Sequence, residues 1–548
     1  MALAAIVVVP ARDEAEHIGA CLETLAAQTV PVEMFETIVV ADACVDATAE
    51  LAEQAASAHG LHLTVLEGSG RGAGVARRAG MDLAASRLFG QGTPEALIAC
   101  TDADSRPAAD WLARQLAHVA DGARVVAGLI DLDAEEAVRL PEGVLRRRER
   151  DAAERLARVR ELDPSASHHH FAGASIGITA ATYREVGGLD PVGALEDAAF
   201  AERLAHHGVP VVRAGDVRVR TSARVTGRAA RGLSVDLAVS AWSERRRYRA
   251  AEFPQARLRA HKGATTVAVV IPTKECADTL SEVLTQTVAP LSQAGLIDEV
   301  LVVDAGSADG TAARAAERGA RVIQQDEVLA EHGPARGKGD AMWRAVHATD
   351  ADIVCFLDGD TNNPHRHHLQ GLIGPLLTDS GLELVKGAFD RPLIVAGVEL
   401  AHEGGRVTEL MARPLLNLHV PQLAGFAQPL AGEFAARRTL LRSIAFPVGY
   451  GVEIAVLIDA LRRSGLDALA ECHLGTRHNR HQPLRALGEM AYAVLAAVEN
   501  RRQGPRSPLG GHYLRPWEDG AVRRVAIDER PPLETLGCTD TPSRRGAE

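Results

Sequence analysis

The residues best suited to chemistry in this chain are carboxylates that close apolar runs. Ile353-Val-Cys-Phe-Leu-Asp358-Gly-Asp360 ends in two aspartates one residue apart. Alternate residues of a strand face the same way, so the two carboxylates converge if strand geometry continues. Hard oxygen ligands suit Mg2+ or Mn2+, and such an ion can neutralise a diphosphate leaving group. An isolated Asp-x-Asp is common in surface turns. Here it is the third member of an ordered series. Pro272-Thr273-Lys274-Glu275 closes a first apolar run, and Val300-Leu-Val-Val-Asp304 is the second. Between the second and third runs stands Arg336-Gly-Lys338-Gly, whose lysine can reach a phosphate as a point charge.

The series occurs twice. Ile6-Val-Val-Val-Pro10-Ala-Arg-Asp13, Ile38-Val-Val-Ala-Asp42 and Ile98-Ala-Cys-Thr-Asp102-Ala-Asp104 repeat it in order near the start. The offset is 262 for Pro10 to Pro272 and for Asp42 to Asp304, and 256 for Asp104 to Asp360. A period this long is a duplicated domain; solenoid repeats run about 20–50 residues. Short β-branched runs alternate with helical stretches at 14–27, 46–58, 277–290 and 308–319. This predicts an α/β fold with a mainly parallel sheet covered on both faces and its ligands at the C-terminal strand ends. The expected domains are 1–258 and 259–548. The basic stretch Trp242–Lys262 reads as a solvated helix plus linker. Residues 145–160 read as a charged helix, and the tail after about 503 as a loose surface wrap.

Bulk properties remove other classes. The 548-residue chain carries a net charge of −12 and only 3% aromatics, which argues against nucleic-acid binding. No apolar run reaches the ~20 residues of a membrane span, and no signal peptide is evident. Seven dispersed cysteines without a CxxC read as reduced thiols in a cytoplasmic protein. His168-His169-His170 reads as an exposed polar loop more readily than as a metal site.

The ordered series resembles the GT-A glycosyltransferases in both halves, which implies two tandem Rossmann-like nucleotide-sugar transferase domains. The second half resembles the glucosyl-3-phosphoglycerate synthases from about 265 to 500. Besides the series, the likeness rests on Gly404-Gly405-Arg406-Val-Thr408, Gln428-Pro-Leu430-Ala-Gly-Glu433, Pro447-Val-Gly-Tyr450-Gly-Val-Glu453 and Leu474-Gly-Thr-Arg477-His-Asn479-Arg-His481. It implies a retaining transfer of glucose from UDP- or GDP-glucose to the 2-hydroxyl of 3-phosphoglycerate. It also implies a Mg2+ or Mn2+ cofactor and a homodimer. By this resemblance Pro272, Thr273, Lys274, Glu275, Ala305, Lys338, Asp358, Gly359, Leu430, Tyr450 and Glu453 contact the donor. Lys338 and Glu453 are the catalytic candidates. Gly405, Arg406, Thr408 and His481 hold the acceptor, and Asp360 holds the metal. Three positions depart from the family pattern. Its serine is Ala305, its metal-binding histidine falls on Asn479 with His478 next door, and its acceptor-side asparagine falls on His481.

The first half resembles the broad inverting GT-A family. The resemblance implies donor contacts at Pro10, Asp42 and Asp102, a metal at Asp104, and a general base at Asp197 of Glu196-Asp197. A carboxylate there can accept the acceptor's hydroxyl proton, although helix capping is the competing role for Asp197. Two rival readings remain at this level. One is a sugar-1-phosphate nucleotidyltransferase, whose Gly-x-Gly-x-Arg loop neither copy has. The other makes the first half a non-catalytic nucleotide-sugar scaffold.

Overall fold

The computed structural model describes residues 3–193, 195–227, 231–395, 398–400, 404–477, 483–504, 510–518 and 520–536. The chain divides into two compact units, Met1–Glu244 and Arg245–Glu548.

Each unit is built on an eight-stranded sheet. In the first, the order is Leu63–Glu67, Phe35–Ala41, Ala5–Ala11, Leu97–Cys100, Ile176–Thr179, Val125–Leu132, Val212–Thr221, Ser105–Pro107. In the second it is Arg321–Gln324, Glu299–Asp304, Val267–Thr273, Ile353–Phe356, Phe434–Arg437, Leu384–Asp390, Leu469–Thr476, Arg247–Arg249. The first four strands of each list are parallel. The fifth runs antiparallel to both neighbours, so the sheets are mixed and only mainly parallel.

The apolar runs are continuous because these strands are covered on both faces. Along Ala5–Ala11 every residue is buried. Val7 and Val9 pack with Leu22, Leu25 and Trp111 on one face. Ile6 and Val8 pack with Met81, Leu88 and Phe200 on the other.

The duplicates differ at the eighth strand. In the first unit Ser105–Pro107 leaves Asp104 directly and pairs antiparallel with Val219–Thr221. In the second, Arg247–Arg249 lies upstream of the whole repeat and pairs with Glu471–His473. The compact units divide at 244/245, ahead of the expected 258, and the stretch read as a solvated helix plus linker holds the helix Gln255–Lys262 as well as this strand. Phe253 is buried against Gly374, where a Cβ would sit 2.3 Å from its ring, so the glycine makes room for the aromatic.

The tail is also tighter than expected. Glu529–Arg530 pairs with Phe446–Pro447. Arg530 donates to both oxygens of the fully buried Asp340, at 3.0 and 2.6 Å. Arg344 donates to the same carboxylate at 3.0 Å. Trp343 Nε1 donates to the Pro531 carbonyl at 2.8 Å. A buried carboxylate demands such counterions, and one of them comes from the tail. The charged stretch forms the helix Glu142–Leu162, as expected.

Candidate active site

In the second unit the strand Ile353–Phe356 delivers Asp358 and Asp360 to the C-terminal sheet edge. Asp358 is half-buried and Asp360 exposed, while Gly359 is buried between them. A Cβ on Gly359 would lie 3.2 Å from both Cys276 Sγ and Thr273 Cγ2, so the glycine lets this turn press on the end of the first strand.

Lys338 opens the helix Lys338–Ala348. Its flanking glycines are sterically required. Gly337 has φ +144°, and a Cβ on Gly339 would lie 1.9 Å from the Pro447 carbonyl. The backbone thus wedges against the loop that carries Tyr450 and leads into the helix Val452–Ser464, whose first turn holds Glu453. Lys338 Nζ bridges Asp358 at 2.7 Å and Glu453 at 3.2 Å. Burial works against its charge, yet Asp358 and then Glu453 hold Lys338 well above the usual lysine range. Burial likewise opposes Asp358, but Lys338 and then Arg477 hold that carboxyl well below its ordinary value.

Four further residues complete this centre, and none was among the expected site residues. Arg477 pairs with buried Glu433 at 2.5 Å, lies 3.5 Å from Asp358 and donates to Thr361. A Cβ on Gly432 would lie 2.3 Å from Lys338 Nζ, so the backbone passes directly against the Lys338–Asp358 pair. Fully buried Lys386 donates to the adjacent Ala431 carbonyl at 2.6 Å, and burial lowers it to about 7. Arg477, Gly432 and Glu433 lie inside the family-like motifs, which was their available signal. Lys386 sits in a strand interior and carried none.

The two loops expected to face the nucleotide are stapled together. The Ala308 amide donates to Glu275 at 2.9 Å, and the Glu275 amide to Ser307 Oγ at 3.0 Å. Asp304 accepts from the Ser307 amide and hydroxyl at 3.0 and 2.6 Å. Glu275 has φ +51°, as does Asp13, its counterpart 262 residues earlier. Both copies therefore hold the same left-handed turn. Glu275 builds the loop, while Lys274 stands exposed beside half-buried Pro272. The Ala305 amide donates to Thr273 at 3.0 Å. Leu430 is half-buried and Tyr450 exposed.

The Gly404 amide donates to the Arg391 carbonyl at 3.0 Å, and Gly405 has φ +70°. That turn leads through Arg406 to buried Thr408 at the start of the π-helical turn Thr408–Ala412. Arg391 lies in the field of Arg477, Asp358 and Asp360, which sets the expected acceptor loop beside the carboxylates. Asn479, His478 and His481 lie outside the described residues. A hard divalent ion fits exposed Asp360, which carries no ion pair among the described residues.

The first unit assembles the matching residues with different partners. Asp42 accepts from the Gly70 and Gly72 amides at 2.7 and 3.0 Å and so organises a glycine loop beside Pro10's strand end. Buried Arg77 bridges Asp102 at 2.7 Å and Glu196 at 3.1 Å. Asp104 lies 2.8 Å from Arg224, which also grips Glu14. Burial and then Asp102 push Asp104 up to about 7 against the opposing pull of Arg224. Asp197 sits in the first turn of the helix Glu196–His206, accepts from the Ala198 amide at 2.8 Å, and is raised by burial and then by Glu196. The N-cap is Leu195, not Asp197.

Two of the three histidines differ from expectation. His168 is buried with Nε2 3.3 Å from the Ala214 carbonyl, and His170 Nδ1 accepts from the Ile130 amide at 3.1 Å. Burial lowers both, His170 to about 3. They are struts between strands.

A mixed sheet with this strand order and strand-end carboxylates defines a GT-A glycosyltransferase domain, and the chain carries two. It belongs to glycosyl transferase family 2, whose profile matches residues 6–178 and 268–391. A glucosyl-3-phosphoglycerate synthase from Mycobacterium tuberculosis is 43% identical over 288 residues, covering 51% of this chain and 88% of that protein. One from Petrotoga mobilis is 42% identical over 206 residues, covering 38% of this chain and 63% of that protein. The M. tuberculosis enzyme solved with Mn2+, UDP-glucose and phosphoglyceric acid is 41% identical, covers 52% of this chain and 95% of its own, and gives a TM-score of 0.47. A mannosyl-3-phosphoglycerate synthase from Rubrobacter xylanophilus is 42% identical, covers 54% and 98%, and gives 0.49. Among the described residues no helix is long and apolar enough to cross a membrane.

Proposed function

We propose that the second unit transfers glucose from UDP- or GDP-glucose to the 2-hydroxyl of 3-phosphoglycerate, with retention at the anomeric carbon. The observation that carries this reading is the Lys338 bridge. It joins a helix N-terminus, the Asp-Gly-Asp turn and Glu453 within 3.2 Å, in a chain 43% identical to such a synthase over 288 residues. A helix N-terminus with a lysine suits a diphosphate. Lys338 neutralises the charge that builds on the departing nucleotide. Glu453 takes hydroxyls of the donor glucose, and Asp358 with Gly359 lines the donor. Arg406 and Thr408 clamp the acceptor's anionic groups. Asp360, with Asn479, would hold Mg2+ or Mn2+, which supplies further charge neutralisation at the diphosphate when bound. A departing phosphate oxygen on the donor's front face accepts the proton of the attacking 2-hydroxyl, so the glycosidic bond forms on the side from which the nucleotide leaves.

The first unit we read as a second, inverting sugar transferase with Asp197 as base. Its support is a carboxylate raised by burial in the first turn of a helix at the same sheet edge. Asp197→Asn removes that transfer and leaves the other intact. If no nucleotide sugar binds residues 1–244 in a broad screen, the scaffold reading replaces it.

The deciding experiment incubates the full chain with 3-phosphoglycerate, Mg2+ or Mn2+, and UDP-glucose, GDP-glucose or GDP-mannose in turn. Products are identified by mass spectrometry and NMR. An α-linked glucosyl-3-phosphoglycerate from an α-linked donor is expected. A mannosyl product alone or an inverted linkage overturns the reading.

A further inference from the structure

We propose that in the first unit the guanidinium of Arg224 stands in the place of a divalent cation, so this site meets a nucleotide-sugar diphosphate without a metal ion. The inference rests on reading the first unit as a nucleotide-sugar site, and it deepens that reading. Arg224 lies 2.8 Å from Asp104, the second aspartate of the Asp-Ala-Asp turn. Its Nη1 donates to buried Glu14 at 2.8 Å, and its Nη2 donates to the other oxygen of the same carboxylate. The first aspartate, Asp102, carries a cation of its own in Arg77.

The duplicated unit supplies an internal comparison. Val125 and Leu384 open equivalent strands against Ile178 and Ala436, so Asp131 corresponds to Asp390, and their partners Arg220 and Thr476 correspond to each other. Arg224 stands four residues beyond Arg220, and the place four beyond Thr476 is residue 480, outside the described residues. Glu14, 262 residues on, becomes Cys276. The carboxylate that anchors Arg224 is therefore present in the first unit and absent from that place in the second. There Asp360 carries no ion pair among the described residues. A guanidinium held bidentate on one carboxylate and touching another blocks the position of an ion at Asp104. It keeps N–H groups of fixed direction for phosphate oxygens.

The test counts bound Mn2+ on the full chain by electron paramagnetic resonance, with Mn2+ alone and with Mn2+ plus UDP. The count requires no transfer activity, so it decides this proposal even if the first unit turns nothing over. Asp104→Ala is expected to leave the wild-type Mn2+ count unchanged. Arg224→Asn is expected to add one equivalent, which Arg224→Asn/Asp104→Ala loses again. A wild-type count that falls by one equivalent in Asp104→Ala overturns the proposal. So does an Arg224→Asn chain with native circular dichroism that gains no Mn2+. Should Arg224→Asn fail to fold, the Asp104→Ala comparison still decides.

Discussion

At the scale of single residues the second site is a chain of opposite charges: Glu453, Lys338, Asp358, Arg477, Glu433. Asp360 stands outside it, exposed. Asp360→Ala should therefore leave folding intact and reduce transfer by at least about a hundredfold, since a lost metal carboxylate removes several kcal/mol of transition-state stabilisation. Steady-state rates across Mg2+ and Mn2+ concentrations check this; near-normal turnover would reassign the residue. Arg406→Lys keeps the charge and loses the fork. The KM for 3-phosphoglycerate should rise about tenfold, the equivalent of one charged hydrogen bond, while the donor KM changes little. A defect confined to the donor would move Arg406 to the other substrate. Lys386 offers a pH test. Its folded value of about 7 lies below the ordinary 10.5, so the unfolded chain binds more protons between those values. Stability is thus gained as pH rises through that window and lost as it falls toward 7. Lys386→Met removes this dependence. Its melting temperature relative to wild type should be higher at pH 7 than at pH 9.5, and an equal difference at both would contradict the burial argument.

At the scale of elements, the Lys338 loop is positioned from outside itself. Glycines 337 and 339 let it press on Pro447 and Val448, and Phe446–Pro447 is paired with Glu529–Arg530. The Arg530 guanidinium reaches through to Asp340, two residues past Lys338. Arg530→Ala leaves that buried carboxylate with one guanidinium among the described residues, Arg344, beside the Arg336 amide. Breaking a buried pair costs about 3–5 kcal/mol, and the remaining partner puts the expected loss near the lower end. The donor KM should rise more than the acceptor KM, because the loop facing the diphosphate loosens first. Thermal melts and paired Michaelis constants measure both effects, and an unchanged melting temperature would show that the tail is not a structural strap.

At the scale of the whole molecule, the duplication is complete in seven strands and broken in the eighth. The second unit takes its edge strand from Arg247–Arg249, ahead of its repeat. Residues 245–548 should therefore fold and carry the transferase activity of the second half. A fragment starting at 259 loses that strand and buried Phe253 and Leu258. Removing a buried aromatic alone costs about 3–5 kcal/mol, so the shorter fragment should melt lower or aggregate. Equal melting temperatures for the two fragments would restore the boundary to 258.

The sequence alone determined the two-fold repeat, the α/β class, the strand-end carboxylates and the glycine-flanked lysine. All are local signals: continuous apolar runs mark strands buried on both faces, and residue type limits what a strand-end side chain can do. It did not determine which charges meet. Arg477 and Asp358 lie 119 residues apart, and Arg530 and Asp340 lie 190 apart. No periodicity records such a pairing, because it arises only when strands far apart in the chain become neighbours. For the same reason Arg247–Arg249, within the stretch read as a solvated helix plus linker, was not legible as a strand until Glu471–His473 supplied its partner. Likewise the histidine run read as a surface loop until the Ala214 and Ile130 backbones closed around it. Burial and its counterions are properties of the packed sheet, and only the tertiary structure decides them.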